Sequence, residues 1–276
     1  MSADRVADTW ERGSPYERYI GRWSRGIAPL FLAWLDQPQH KRWLDIGCGT
    51  GALCAAILDR AAPGSLVGVE PSAGFRELAA RHLGERAQWL AGSADAIPLG
   101  SGGCDIVVSG LVLNFVPDLP AALSEMRRVC VTGGTIAAYV WDYADGMEII
   151  RRFWEAAVGL DPAAADLDEG ARFPLCHPAA LRAAFEAAGL AEVETTSLEL
   201  RAGFAGFDDY WQPLLGGQGP APAYAMSLSE DRRASLRARL KSALPRGADG
   251  GFSLRARAWA ARGIARDRAS RGATSI

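Results

Sequence analysis

The stretch Arg42-Trp43-Leu44-Asp45-Ile46-Gly47-Cys48-Gly49-Thr50-Gly51 sets three glycines in five residues directly behind an apolar run. "RWLDIG" reads as a strand, and "GALCAAILDRA" behind it as a helix that ends at Pro63-Gly64. A strand that ends in Gly-x-Gly-x-Gly and runs straight into a helix is a nucleotide-type loop. Its glycines make a tight turn, let a ligand touch the backbone and let the helix pack close to the strand. Such a loop lies at the carboxyl edge of a parallel sheet, where α/β folds bind ligands. The glycines alone do not name the ligand, because Gly47, Gly49 and Ala52 also satisfy a GxGxxA dinucleotide fingerprint.

Short β runs and helical runs alternate outward from this loop. "SLVGVE" is a strand, and "SAGFRELAARHLG" a helix opened by Ser72 and closed by Gly84. "AQWLAGS" and "CDIVVSGLVL" are strands. "LPAALSEMRRVCVTGG" is a helix stopped by Gly133-Gly134, and "TIAAYVWDY" is a strand. This alternation predicts an α/β fold, with a parallel sheet and helices on both faces. Ahead of it, apolar residues recur at helical spacing from Tyr16 to Leu35, with a break between Ser24 and Pro29; residues 1–14 read as disordered. Beyond Tyr143, "GMEIIRRFWEAAVGL" and "HPAALRAAFEAAGL" are helical, and "AEVETTSLEL" alternates like a strand. Residues 204–246 read as helices around a Gly/Pro-rich loop. "GFSLRARAWAAR" is a final antiparallel strand, able to pair beside the preceding one. The domain reading is a helical leader or lid over 1–40, a ligand-binding core over 41–143, the rest of the core with a helical cap insertion over 144–264, and a flexible tail over 265–276.

Composition narrows the function classes. No window approaches the roughly eighteen apolar residues of a membrane helix, and the polar N-terminus has no secretory pattern. Five cysteines, at 48, 54, 104, 130 and 176, include no CxxC and read as reduced, buried side chains of a cytoplasmic protein. Three histidines without ligand spacing argue against a metal site. The net charge of −2 hides an asymmetry: residues 201–276 carry 13 basic and 6 acidic side chains. The expectation is solvated helix faces and a tail. A nucleic-acid surface is not favoured, because no stacking aromatics are interleaved with the basic residues.

The residues around the loop discriminate between ligands. Asp45 stands two residues before Gly47, where a carboxylate suits an ammonium group better than a pyrophosphate. Glu70 ends the next strand, where a carboxylate accepts hydrogen bonds from ribose hydroxyls. "GSADAIPL" after the third strand sets Asp95 where an adenine amino group would donate to it.

"LDIGCGTG", "VGVEPS", "GSADAIPL" and "CDIVVSGLVLNFVPD", in this order over about residues 42–143, resemble the class I S-adenosylmethionine-dependent methyltransferases. Among these, the chain is similar to the small-molecule branch of the ubiquinone/menaquinone-biosynthesis type. The resemblance implies a Rossmann-like, seven-stranded sheet, mostly parallel with its last strand antiparallel. It implies S-adenosyl-L-methionine as cofactor, with Gly47, Cys48, Gly49 and Gly51 around the methionine part. Glu70, with Pro71 and Ser72, would take the ribose, and Asp95 with Ala96 the adenine. Ser109, Gly110 and Leu111 would run along the cofactor near the sulfonium. Arg22 in the leader is either a clamp for the cofactor carboxylate or an exposed helix arginine.

The acceptor is less legible. Trp141, Asp142, Tyr143, Phe173, His177, Tyr210 and Trp211 are candidate pocket residues, with Trp141 and Phe173 read first as core. His177, before Pro178, reads as a helix-start histidine in a polar turn, with a general base as its rival role. "SGLVLNFVP" lacks the Asn/Asp-Pro-Pro-aromatic sequence of methylases acting on adenine or amide nitrogens. The expected activity is methyl transfer by in-line displacement to an oxygen or carbon of a small molecule, nitrogen being the less favoured atom. The partners expected are that acceptor and, at most, a second copy of the chain, as monomer or homodimer, with no nucleic acid or membrane. Two rivals stay open: an NAD-type oxidoreductase and a non-catalytic S-adenosylmethionine-binding protein.

Overall fold

The computed structural model describes residues 21–217 and 219–266. The start of the predicted leader, through Ile20, and the tail from residue 267 lie outside them. Helix α1 (Arg22–Leu35) precedes β1 (Arg42–Ile46), α2 (Ala52–Arg60), β2 (Ser65–Val69), α3 (Ala73–Leu83), β3 (Gln88–Leu90), β4 (Cys104–Gly110), α4 (Leu119–Val129) and β5 (Cys130–Trp141). Then follow α5 (Glu148–Val158), the single turn α6 (Glu169–Arg172), α7 (Pro178–Ala187), β6 (Ala191–Phe204), α8 (Phe207–Leu214), α9 (Pro220–Ser227), α10 (Glu230–Ala243) and β7 (Phe252–Ile264).

The seven strands form one sheet in the order β3-β2-β1-β4-β5-β7-β6. The pairs β3–β2, β2–β1, β1–β4 and β4–β5 are parallel. β7 is antiparallel to both its neighbours, β5 and β6. The expected α/β sheet with an antiparallel last strand is therefore the observed one. Successive strand residues point to opposite faces, so a strand buried at every position is covered on both. Ile106, Val107 and Val108 of β4, and Ile136 to Trp141 of β5, are all buried. By contrast β7 alternates: Leu254, Ala256 and Ala258 are buried, while Arg255 and Arg257 lie between them and are only partly covered. These arginines, with Arg262, pair with Asp142, Asp145 and Glu194. These three basic side chains of the C-terminal quarter are thus spent on ion pairs with distant parts of the chain.

Three local expectations differ from the structure. α1 is continuous from Arg22 to Leu35 with Pro29 inside it, and no break follows Ser24. Pro29 costs the helix one backbone bond. Burial of Ile27, Ala28, Phe31, Leu32 and Leu35 on one face outweighs that loss. Gly133-Gly134 do not stop α4, which ends at Val129. They lie inside β5, where the register with β4 shifts between Cys104 and Ile106. A side chain at Gly134 would sit 2.7 Å from the carbonyl oxygen of Asp105, so this bulge needs the bare backbone. The predicted Gly/Pro-rich loop is also shorter than expected, because Pro220 opens α9 at its first turn.

Candidate active site at the carboxyl edge of the sheet

The loop after β1 is held by backbone bonds before any ligand is considered. The amides of Gly47 and Cys48 both donate to the carbonyl of Val69 at the end of β2, at 2.8 and 3.1 Å. Gly47, Gly49 and Gly51 all take positive φ, of +67°, +55° and +89°. At Gly47 space is limiting as well, since a Cβ there would lie 2.6 Å from a methyl carbon of Val112. Gly51 opens α2, so the loop ends at a helix N-terminus.

Two buried carboxylates flank this loop. Asp45, on β1, is 1% exposed. Its Oδ2 accepts from the Cys54 thiol at 3.2 Å, and its Oδ1 is buried with no partner among the described residues. Burial, with a smaller contribution from the charge of Glu70, pushes the Asp45 carboxyl up to about 7. Glu70, one residue past β2, is 7% exposed. Its Oε1 accepts from the Ser72 amide at 2.9 Å and its Oε2 from the Gly49 amide at 3.1 Å. Burial raises its pKa, against the pull of those two amides. Ser72 also caps α3, accepting from the Phe75 amide.

Asp45, Gly47, Cys48, Gly49, Glu70, Pro71, Ser72, Asp95, Gly110 and Leu111 all line one cavity of about 330 Å³. Most of the residues singled out in the sequence thus meet at one cavity. Gly51 and Ala96 are not on the wall: Gly51 packs behind the loop against Ala79 and Leu83, and Ala94 faces the cavity in place of Ala96. Asp95 is bonded by the Ser93 hydroxyl.

Three further candidates do not line the cavity. Ser109 is fully buried and donates to the carbonyl of Ile46 at 2.9 Å, tying β4 to β1. Arg22 is neither a clamp on the cavity nor exposed. Its guanidinium donates to the Asp209 carboxylate at 2.8 Å and lies over the rings of Trp23 and Phe204. His177 is exposed, and its Nδ1 accepts from the Ala179 amide as the cap of α7. This is the turn reading rather than the base.

The opposite half of the cavity comes from the loop after β4 and the end of β5. Phe115, Tyr139, Trp141 and Tyr143 form an aromatic wall, joined by Val112 and Val116. Trp141, expected as core, is 2% exposed and still meets the cavity. Phe173 stands behind the wall, with its ring 5.0 Å from that of Phe115 and 5.9 Å from that of Tyr143. Asp142 turns away to bind Arg257 at 2.7 Å. Tyr210 is buried under α5 and donates to the Ile149 carbonyl, and Trp211 is buried with it in the cap. Sequence reasoning missed Ser24, Phe75, Phe115 and Tyr139. The alternation that marked β5 as buried gave no sign that Tyr139 stands at a cavity, and Ser24 reaches the wall only because α1 packs against α2.

Comparison with known proteins bears on this site. The family model described as "Methyltransferase domain" matches residues 44–138. A demethylmenaquinone methyltransferase of Roseiflexus castenholzii is 36% identical over 118 residues, 41% of this chain and 48% of that protein. A malonyl-[acyl-carrier protein] O-methyltransferase of Geobacter sulfurreducens is 31% identical over 137 residues, 48% of this chain and 51% of that protein. The match thus spans about half the length of these relatives. A phosphoethanolamine N-methyltransferase of Haemonchus contortus, solved with S-adenosylhomocysteine, superposes with a TM-score of 0.56 at 14% identity. It covers 92% of this chain and 57% of that one, and shows that the fold is shared. The glycine loop, Asp45, Glu70 and Phe115 therefore lie within the residues that match a methyltransferase domain, with Tyr139, Trp141 and Tyr143 directly behind them.

Proposed function

We propose that the chain binds S-adenosylmethionine in this cavity and transfers its methyl group to an oxygen or carbon of a small-molecule acceptor. The observation that carries the reading is the buried, unpartnered Oδ1 of Asp45 on a cavity whose other polar end is Glu70. A buried carboxylate oxygen without a partner is costly, and an ammonium group would satisfy it. The residues present fit the cofactor. Asp45 would hold its ammonium group, and Glu70, positioned by two backbone amides, has lone pairs left for two ribose hydroxyls. Asp95 and Ala94 would border the adenine. The dinucleotide reading supplies no use for a buried carboxylate at Asp45, beside a pyrophosphate.

When bound, S-adenosylmethionine supplies a methyl group already made electrophilic by the sulfonium. What remains for the chain is to place a nucleophile in line with that carbon and keep water out. Phe115, Tyr139, Trp141 and Tyr143 do this with a largely apolar wall. Their faces suit a flat acceptor and favour a nearby cation. The cavity carboxylates Asp45, Glu70 and Asp95 would belong to the cofactor half, so the wall suits an acceptor that is already nucleophilic near neutral pH, such as a carboxylate or the electron-rich ring carbon of a quinol. A quinone-type and a carboxylate-type acceptor are also what the names of the two relatives above describe for those proteins.

The test is transfer of labelled methyl from S-adenosylmethionine to a panel of hydroquinones, phenols, acyl carboxylates and primary amines. Label on a quinol, phenol or carboxylate is expected. Label on amines alone would overturn the assignment to oxygen or carbon.

A further inference from the structure

We propose that Cys54 is a positioning residue of this site: its thiol holds one oxygen of Asp45, so that the other is presented to the ammonium group of the cofactor. The proposal rests on the S-adenosylmethionine reading above and extends it to a residue that does not line the cavity.

The two oxygens of Asp45 have unequal surroundings. Oδ2 accepts from Cys54 Sγ at 3.2 Å, and Oδ1 has no partner among the described residues. Asp45 is 1% exposed and stands on the cavity wall, so it meets the ligand with one oxygen held and one unspent. A carboxylate is a broad two-fold rotor at its last torsion, and a single donor from the protein side fixes it. Cys54 lies in the first turn of α2, fully buried, on the side of the helix that faces β1. The helix that begins at the glycine loop thus carries the group that orients the carboxylate before the loop.

A thiol is a weak donor, so its use depends on its keeping the proton. The contact with the Cys48 sulfur and burial together raise the Cys54 pKa well above the ordinary thiol value. The proton therefore stays on sulfur at any pH at which the protein would work. Cys48 is itself on the cavity wall, and its sulfur lies where a Cβ on Gly68 would approach to 2.8 Å. The groups that face Asp45 are thus Cys54 from α2, Cys48 from the glycine loop and Glu70 from the end of β2. Burial and the Glu70 charge disfavour the Asp45 carboxylate, and the Cys54 bond works against both.

Cys54→Ala and Cys54→Ser test the proposal by two readouts. The first is calorimetric titration with S-adenosylhomocysteine from pH 5.5 to 8.5. The second is the carbon-13 titration of the Asp45 carboxyl in the ligand-free protein. For the wild type, affinity should rise with pH through the region near 7, as the carboxylate forms. In Cys54→Ala both midpoints should move to higher pH, and affinity at pH 7 should fall by about 2- to 10-fold, the scale of one hydrogen bond. Cys54→Ser should bring both back to the wild-type value or below. Alanine midpoints and affinity equal to the wild type would overturn the proposal, and so would serine midpoints above the wild type. The serine arm decides alone should the alanine variant not fold. Wild-type protein that binds neither S-adenosylhomocysteine nor S-adenosylmethionine would overturn the cofactor reading, and the positioning role with it. The ligand-free titration separates the two failures, because it reads the Cys54–Asp45 bond without a ligand.

Discussion

Glu70 and Asp45 are both buried acids beside one loop, but their chemistry differs because their partners differ. Glu70 has two backbone amides and is organised before any ligand arrives. Glu70→Ala should weaken S-adenosylmethionine binding by about 1–3 kcal/mol, the cost of removing a charge-assisted acceptor. Titration calorimetry checks this, with Glu70→Gln as the control that keeps some contact to the loop amides. Asp45 has one weak donor and carries the cost of burial. Its folded pKa of about 7 lies above the ordinary 3.8. The stability tied to its proton is therefore present below about 3.8 and lost as pH rises through 7. Ligand binding runs the opposite way, strengthening over the upper part of that window. Asp45→Asn should abolish the pH dependence of binding near 7 and leave a weaker, flat affinity. At this scale the sequence was informative where a residue type is required by its place: Asp45 before the glycines, and Glu70 at a strand tip. It was silent where a side chain has two choices. Ser109 stands one residue before the cavity wall and spends its hydroxyl on β1 instead, and Arg22 finds Asp209, 187 residues away. No local pattern encodes that choice.

Elements were legible where period and punctuation agree. The strands β1, β2 and β4 and the cap at Ser72 follow from apolar runs and a side-chain acceptor at the turn. Where a breaker residue is overridden by packing, as at Pro29, or serves a bulge, as at Gly133-Gly134, its usual meaning fails. The short turn α6 shows a similar override. Its first residue, Glu169, is 2% exposed and accepts from the indole N–H of Trp154. Burial pushes its carboxyl up to about 8, from an ordinary 4.5. The associated stability is complete below about 4.5 and is lost as pH rises through about 8. Glu169→Gln keeps an acceptor for Trp154 and removes the titration. Its melting temperature relative to the wild type should therefore climb between pH 5 and 8.5, by several degrees if about 1–2 kcal/mol is recovered. A difference that stays constant with pH would show that the carboxyl is not held neutral.

Across the whole molecule, the order of alternation announced the sheet, and the last strand could be read as antiparallel from its own pattern. The aromatics from the end of β5 onward could not be read in the same way, because they serve both core and cavity. Trp141 and Tyr143 reach the cavity, while Tyr210 and Trp211, of the same type, are buried beneath α5. The aromatic wall is braced from the neighbouring strand. Arg257 on β7 binds Asp142 and Asp145, which flank Tyr143. Asp142 is 3% exposed, so Arg257→Met would leave a buried carboxylate unpaired, at a cost of about 3–5 kcal/mol in denaturant unfolding. The double variant with Asp142→Asn should recover part of that loss.

The measurement closest to the central claim is calorimetric titration of the purified protein with S-adenosylmethionine, S-adenosylhomocysteine and NADH in parallel. Micromolar binding of both sulfur compounds is expected, weakened by Glu70→Ala, with no heat from NADH. Binding of NADH without either sulfur compound would contradict it and return the Gly47–Ala52 fingerprint to its dinucleotide reading.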